Sequence, residues 1–194
     1  MHKLELPEGY ALTGTLDLMK DKKLYRHVVT VTSAGTLLLL AVGVALALFV
    51  PPFKITMQML IAQGMRYLLL FFALQFVAVF VHELVHAAFM LVFARRVKIG
   101  LKLPYAYAAA PGRLLTKAQY LCVAAAPFVL INAGLAVAMF LFSPMTNLLL
   151  FLLLAVHLPA CYGDIYVCAA VLNMPADTLT EDRGTDMRFF RPAG

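Results

Sequence analysis

The residues with the most distinctive chemistry are His82, Glu83 and His86, which form the pattern His-Glu-x-x-His. On a helix this spacing puts both imidazoles on one face, one turn apart, where they can bind a single Zn²⁺. The glutamate between them can act as a general base toward water. In a chain with only five histidines, the pattern would arise by chance roughly 0.003 times. We therefore predict a zinc site with His82 and His86 as ligands and Glu83 as the catalytic residue.

A catalytic zinc site needs a third protein ligand and an open position for water. Asp164 is the first candidate, because it and Glu83 are the two acids in the long apolar middle of the chain. His86 and Asp164 each lie nine residues before the end of an apolar run, so both are about 13 Å from the same boundary. Two neutral imidazoles, one aspartate, zinc and ionised Glu83 sum to zero charge, which would make both buried acids tolerable. Cys161 shares a helix face with Asp164 and is a rival third ligand, since thiolates bind zinc well. His157, on the same face but about 10 Å further toward the outside, is a weaker rival.

Other polar residues within the apolar runs have weaker assignments. Asn132 either hydrogen-bonds a neighbouring helix, as polar residues in membrane spans often do, or orients substrate. We keep it as a candidate substrate-binding residue. The three cysteines all fall in apolar runs, so we expect free thiols and no disulfide framework.

Composition indicates a membrane protein. The chain is 63% hydrophobic and 13% charged, whereas a soluble domain is about half apolar and a quarter charged. The net charge of +6 comes from Lys and Arg residues that flank the apolar runs. We therefore expect contact with the lipid bilayer and no nucleic-acid partner.

The apolar runs predict an all-α polytopic membrane protein with four transmembrane helices, at residues 28–50, 68–93, 120–142 and 148–172. Fourteen basic residues fall on one side of these spans and two on the other, so both termini should be cytoplasmic and the protein should lie in the cell membrane. This divides the chain into a cytoplasmic N-terminal segment (1–27), a membrane domain carrying the zinc site (28–172) and a cytoplasmic tail (173–194).

The loop between the second and third spans carries a small β segment in this prediction. Residues 97–103 alternate apolar with polar or small side chains, which is the period of a strand. The pair Tyr105 and Tyr107 could continue it as a hairpin. Such a strand could hold an extended substrate by strand addition. Thr116 and Gln119 have the spacing of a capping box, which predicts a helix start just after the loop.

These residues resemble a bacterial family of zincin peptidases of unknown function and, more distantly, the site-2 protease class of intramembrane metalloproteases. The first resemblance covers most of the chain, and its specific parts are the motif at 82–86 and Asp164. It also includes Leu6-Pro7, Gly9-Tyr10, Tyr105-Ala106-Tyr107, Gln119-Tyr120 and Gly163-Asp164-Ile165. The resemblance implies that His82, His86 and Asp164 bind zinc and that Glu83 activates the zinc-bound water.

The chain departs from the site-2 class in two places. That class has Leu-Asp-Gly around its aspartate, where this chain has Gly163-Asp164-Ile165. Its Pro-x-x-Asn pattern in the middle core helix corresponds to Pro127 and Asn132, which are two residues further apart. These departures weaken the transfer of a substrate-handling role to Asn132.

Together the residues predict a membrane-embedded zinc metallopeptidase that hydrolyses membrane-protein or peptide substrates. One alternative is a non-catalytic zinc-binding membrane protein, either a transporter or a degenerate peptidase, but such a protein would have no need of Glu83. The other is a scaffold that binds a partner through its cytoplasmic loop and tail, which would leave the buried acids unexplained.

Overall fold

The structure is a computed structural model, and it describes residues 6–102, 105–184 and 186–193. Five α-helices and six β-strands make up the described chain. The helices are α1 (Lys22–Phe49), α2 (Met57–Ala94), α3 (Lys117–Ala138), α4 (Pro144–Ala160) and α5 (Tyr162–Leu172). The strands are β1 (Tyr10–Asp17), β2 (Lys98–Lys102), β3 (Tyr105–Ala109), β4 (Leu115–Thr116), β5 (Leu179–Asp182) and β6 (Asp186–Pro192).

Four helical stretches are long and apolar enough to cross a membrane: α1, α2, α3 and the consecutive pair α4 and α5. This agrees with the four predicted spans, although the boundaries differ. Helix α2 begins at Met57 rather than near residue 68, because Thr56 caps its first turn by accepting a hydrogen bond from the Met59 amide (3.2 Å). Its 38 residues extend about 57 Å, well beyond the roughly 30 Å of a bilayer core.

The last apolar stretch is two helices rather than the single one predicted. Helix α4 ends at Ala160 and α5 begins at Tyr162, with Cys161 between them. Pro159 lies in the last turn of α4 and Gly163 follows the break, and both residues weaken a continuous helix. The break places Asp164 in the first turn of α5.

A four-stranded antiparallel sheet, in the order β1-β6-β5-β4, joins the N-terminal segment to the tail. It was not predicted from the sequence, where β structure was expected only in the loop between the second and third spans. One face of this sheet is buried, since Leu115, Thr180 and Phe189 lie opposite one another across three strands and are each at most 4% exposed.

The hairpin of β2 and β3 confirms the β segment predicted for the loop, and Lys98 pairs with Ala109 at its open end. Leu103, part of the predicted strand, lies outside the described residues. Two glycines make room for the ring of Tyr107. A Cβ atom on Gly184 would lie 2.6 Å from that ring, and Gly100 faces it across the hairpin. Gly184 also has a φ of +98°, which favours glycine.

The chain divides into two compact units. Unit 1 comprises Met1–His27, Val81–Pro127 and Gly163–Gly194, and unit 2 comprises Val28–Phe80 and Phe128–Tyr162. Unit 1 contains both sheets and a buried core in which Met90, Val123 and Val171 are each at most 1% exposed. Unit 2 has a smaller core around Phe53, Phe151 and Ala155.

The start of α3 is fixed by two interactions within unit 1. The predicted capping box is confirmed: the Thr116 amide donates to Gln119 Oε1 (3.0 Å), and the Gln119 amide donates to Thr116 Oγ1 (3.3 Å). Lys117 Nζ donates to the carbonyls of Leu172 and Met174 (2.8 and 2.6 Å). The end of α5 is thereby tied to the start of α3.

Candidate metal centre

Helix α2 carries His82, Glu83 and His86, and α5 brings Asp164 to the same place within unit 1. The Nε2 atoms of His82 and His86 are 3.1 Å apart. Asp164 Oδ2 lies 3.2 Å from His82 Nε2, and its Oδ1 lies 3.5 Å from His86 Nε2. The structure therefore gathers three of the predicted site residues into one cluster whose ligand atoms face one another.

The spacing of these atoms fits a tetrahedral zinc ion. Ligand atoms bound at about 2.0–2.2 Å along tetrahedral directions are separated by about 3.3–3.5 Å. The three observed separations run from 3.1 to 3.5 Å. Two imidazoles and one carboxylate are also a donor set that zinc prefers in catalytic sites. The Asp164 side chain is 27% exposed, so the cluster is open to solvent on the side of Asp164.

His86 is oriented by a hydrogen bond on its other ring nitrogen. Its Nδ1 lies 2.9 Å from the backbone carbonyl oxygen of Val123 on α3. A carbonyl can only accept a hydrogen bond, so Nδ1 carries the hydrogen. In a neutral ring, Nε2 then keeps its lone pair for a metal.

A cavity of about 150 Å³ adjoins this cluster, and Glu83, His86 and Asp164 are all on its wall. Glu83 is partly buried and faces the backbone amide of Ala108 on β3. The carboxylate that would act on water thus lies between the histidines and the hairpin.

Two further residues on the cavity wall, Tyr120 and Asp182, were missed by the sequence reasoning. Asp182, on β5, is 7% exposed and accepts a hydrogen bond from the Gly184 amide (2.8 Å). Its carboxyl faces the Tyr120 hydroxyl, and burial raises the pKa of Asp182 to about 7. Nothing in the spacing of the acids in the tail shows that β5 would bury them.

Asn132, His157 and Cys161 belong to unit 2 and form a polar cluster there. Asn132 Nδ2 donates to the Phe128 carbonyl (2.8 Å), and its Oδ1 lies 2.9 Å from His157 Nδ1. Cys161 is fully buried, and its Sγ lies 3.2 Å from the His157 carbonyl oxygen. The Asn132 amide therefore links α3 to α4. Its role in substrate binding stays a prediction.

Residues 75–179, more than half of the chain, match the model of a protein family described as "Putative zincin peptidase". The chain belongs to this family. The matched segment contains the motif on α2, the hairpin, α3 and Asp164. No curated protein and no solved structure is significantly similar to the chain.

Membership of a zincin family implies zinc and a peptidase activity. The cluster of His82, His86 and Asp164 is a group within the described residues that could hold such an ion, with all its ligand atoms within 4.8 Å of one another. The family thus indicates a zinc metallopeptidase, and the local geometry offers a cluster that could hold its metal.

Proposed function

We propose that this chain is a membrane-embedded zinc metallopeptidase that hydrolyses peptide bonds of membrane or membrane-associated substrates. The observation that carries the proposal is the position of Glu83. It lies in the same helical turn as two of the candidate ligands and on the same cavity as Asp164. A protein that only stored or carried zinc would need the ligands but not a carboxylate beside them.

His82, His86 and Asp164 would hold the zinc, which when bound supplies a Lewis acid that polarises a carbonyl and makes water more acidic. Glu83 takes a proton from the attacking water and passes it to the leaving amine. The Val123 carbonyl keeps the His86 ring in place. The mostly apolar wall formed by residues such as Met90 and Val167 limits the bulk water around the reacting bond.

We propose that the substrate backbone lies along the edge of β3 that faces away from β2. The Ala110 amide donates to the Asp182 carbonyl (3.0 Å), and the Ala108 amide faces Glu83. Backbone groups of alternate residues on a strand point to the same side, so Ala106 presents its amide and carbonyl to this cavity as well. An extended peptide could pair here, which moves the proposed strand addition from residues 97–103 to β3.

The membrane placement is also a proposal. We infer that α1, α2, α3 and the pair α4 and α5 cross the bilayer with both termini in the cytoplasm, as the basic residues indicate. Large apolar side chains such as Leu37, Ile61 and Phe76 are at least two-thirds exposed, which is expected of surfaces that face lipid. The order of motif helix, β hairpin, core helix and aspartate helix supports a site-2-protease-like type.

The test compares wild type, Glu83→Gln and a matched control, Glu8→Gln, whose carboxylate is exposed. Each protein, reconstituted in lipid nanodiscs with zinc, is incubated with a panel of membrane-anchored peptides and the products are identified by mass spectrometry. We expect cleavage by wild type and the control, and a loss of at least about a hundredfold in Glu83→Gln. Zinc content should be near normal in all three.

The alternatives predict different results. Cleavage by Glu83→Gln at the wild-type rate would exclude Glu83 as the base. Zinc binding by wild type without cleavage of any peptide would favour a transporter or a degenerate peptidase. If wild type binds neither zinc nor substrate, the remaining interpretation is a scaffold.

A further inference from the structure

Helix α3 contains a proline next to the metal centre. Pro127 lies in the middle of α3 and is fully buried. Proline has no backbone N–H, so the carbonyl four residues earlier loses its helical hydrogen-bond partner. That carbonyl belongs to Val123. A buried carbonyl without a partner is costly, so another donor is expected there.

The donor is a candidate zinc ligand. His86 Nδ1 lies 2.9 Å from the Val123 carbonyl oxygen, although the two residues are 37 positions apart in the sequence. The bond requires the hydrogen on Nδ1 and leaves Nε2 as the nitrogen that faces His82 and Asp164. A proline on one helix and the orientation of a histidine on another are thus connected through a single carbonyl.

We propose that Pro127 is a positioning residue of the metal centre, which frees the Val123 carbonyl to hold His86 with Nε2 toward the metal. An amide at position 127 would compete for the same carbonyl, and the proline ring also tilts that carbonyl away from the helix axis. Outer partners of a metal-bound histidine fix its tautomer and ring orientation, and their loss lowers metal affinity by about 10–100-fold. The inference rests on the zinc site of the proposed function but not on peptidase activity.

The first experiment measures zinc affinity by competition with a chromogenic chelator for wild type, Pro127→Ala and Pro144→Ala. Pro144 is at the N-terminal end of α4, where a proline removes no helical hydrogen bond, so its replacement is the matched control. We expect about tenfold weaker zinc binding in Pro127→Ala and no change in the control. The melting temperature of Pro127→Ala should be equal to or above that of wild type, because alanine is the better helix former.

The second measurement is made first on wild type, so it tests the proposal even if Pro127→Ala does not fold. Nitrogen-15 NMR of zinc-free wild type, labelled only in histidine, reports which ring nitrogen of each histidine carries hydrogen, and His86→Ala identifies the signal of His86. We expect hydrogen on Nδ1 of His86, the nitrogen that faces the Val123 carbonyl. In Pro127→Ala a fraction of His86 should shift to the other tautomer.

The outcomes separate this inference from the proposed function. If His86→Ala binds zinc as tightly as wild type, the zinc site is wrong and the inference falls with it. If His86→Ala loses zinc while Pro127→Ala binds within twofold of wild type, only the role of Pro127 is overturned. Absence of hydrogen from Nδ1 of His86 in zinc-free wild type would also overturn it.

Discussion

Replacing Asp182 with asparagine should change how the stability of the zinc-free protein depends on pH. Burial raises the pKa of Asp182 from 3.8 to about 7 in the folded protein. The folded state therefore holds its proton more tightly than the unfolded chain does. Between pH 4 and pH 7 the unfolded chain releases the proton first, so the free energy of unfolding falls as pH rises through this window.

The size of the effect follows from the two pKa values. They differ by about three, and each pKa unit is worth about 1.4 kcal/mol. The full cost of this carboxyl to the folded state is thus up to about 4 kcal/mol, of which roughly 3 kcal/mol develops between pH 5 and pH 8. Asparagine keeps an oxygen that can accept the Gly184 amide but has no proton to release. The variant should lack this part of the pH dependence.

The assay is the denaturant midpoint of zinc-free wild type and Asp182→Asn, purified in the same detergent, at pH 5 and pH 8. Groups far from Asp182 titrate equally in both proteins, so the difference between their pH dependences reports Asp182 together with the groups coupled to it, His86 and Asp164. Wild type should lose more stability than the variant on going to pH 8, and the variant should be the more stable protein there. Equal pH dependence in the two would show that Asp182 is not buried as a neutral acid.

Three other predictions concern the metal, the packing and the topology. His82→Ala should reduce zinc content well below one per chain by elemental analysis, and Asp164→Asn should weaken zinc affinity beyond the about 10–100-fold typical of losing an outer partner; full occupancy and unchanged affinity would refute the ligand set. Lys117→Met removes a cation that donates to two carbonyls at the end of α5 and should lower the free energy of unfolding by about 1–3 kcal/mol, whereas an unchanged denaturant midpoint would contradict that contact. Cysteines placed at the exposed positions Ser143 and Asn173 should react with an impermeant maleimide from outside and from inside the cell, respectively, and the reverse pattern would invert the topology.

The helices were predictable because long apolar runs leave few alternatives. The hairpin was predictable too, since its residues alternate between apolar and polar or small. The four-stranded sheet was not predicted, although Met187 and Phe189 alternate with Arg188 along β6. The acidic residues of strand β5 suggest an exposed segment. In the structure, however, Glu181 and Asp182 are buried, at 5% and 7% exposure. Their burial depends on neighbouring strands that are distant in sequence.

The candidate site also has a part that the sequence predicts and a part that it does not. The two histidines and Glu83 are a local pattern on one helix, so sequence alone brought them together. Asp164 could be proposed from charge, because a buried acid needs a partner. The bond between His86 and the Val123 carbonyl could not be foreseen, since it depends on how α2 packs against α3.

The central claim is that zinc held by α2 and α5 drives peptide hydrolysis, and a zinc titration of the metal-free protein tests it most directly. The chelated protein in nanodiscs receives increasing zinc while the cleavage of one identified membrane-anchored peptide is followed. We predict no cleavage without zinc, a rise that saturates at about one zinc per chain, and no rise for Glu83→Gln at any zinc concentration. Full cleavage by the metal-free protein, or a zinc-dependent rise of equal size in Glu83→Gln, would contradict the mechanism.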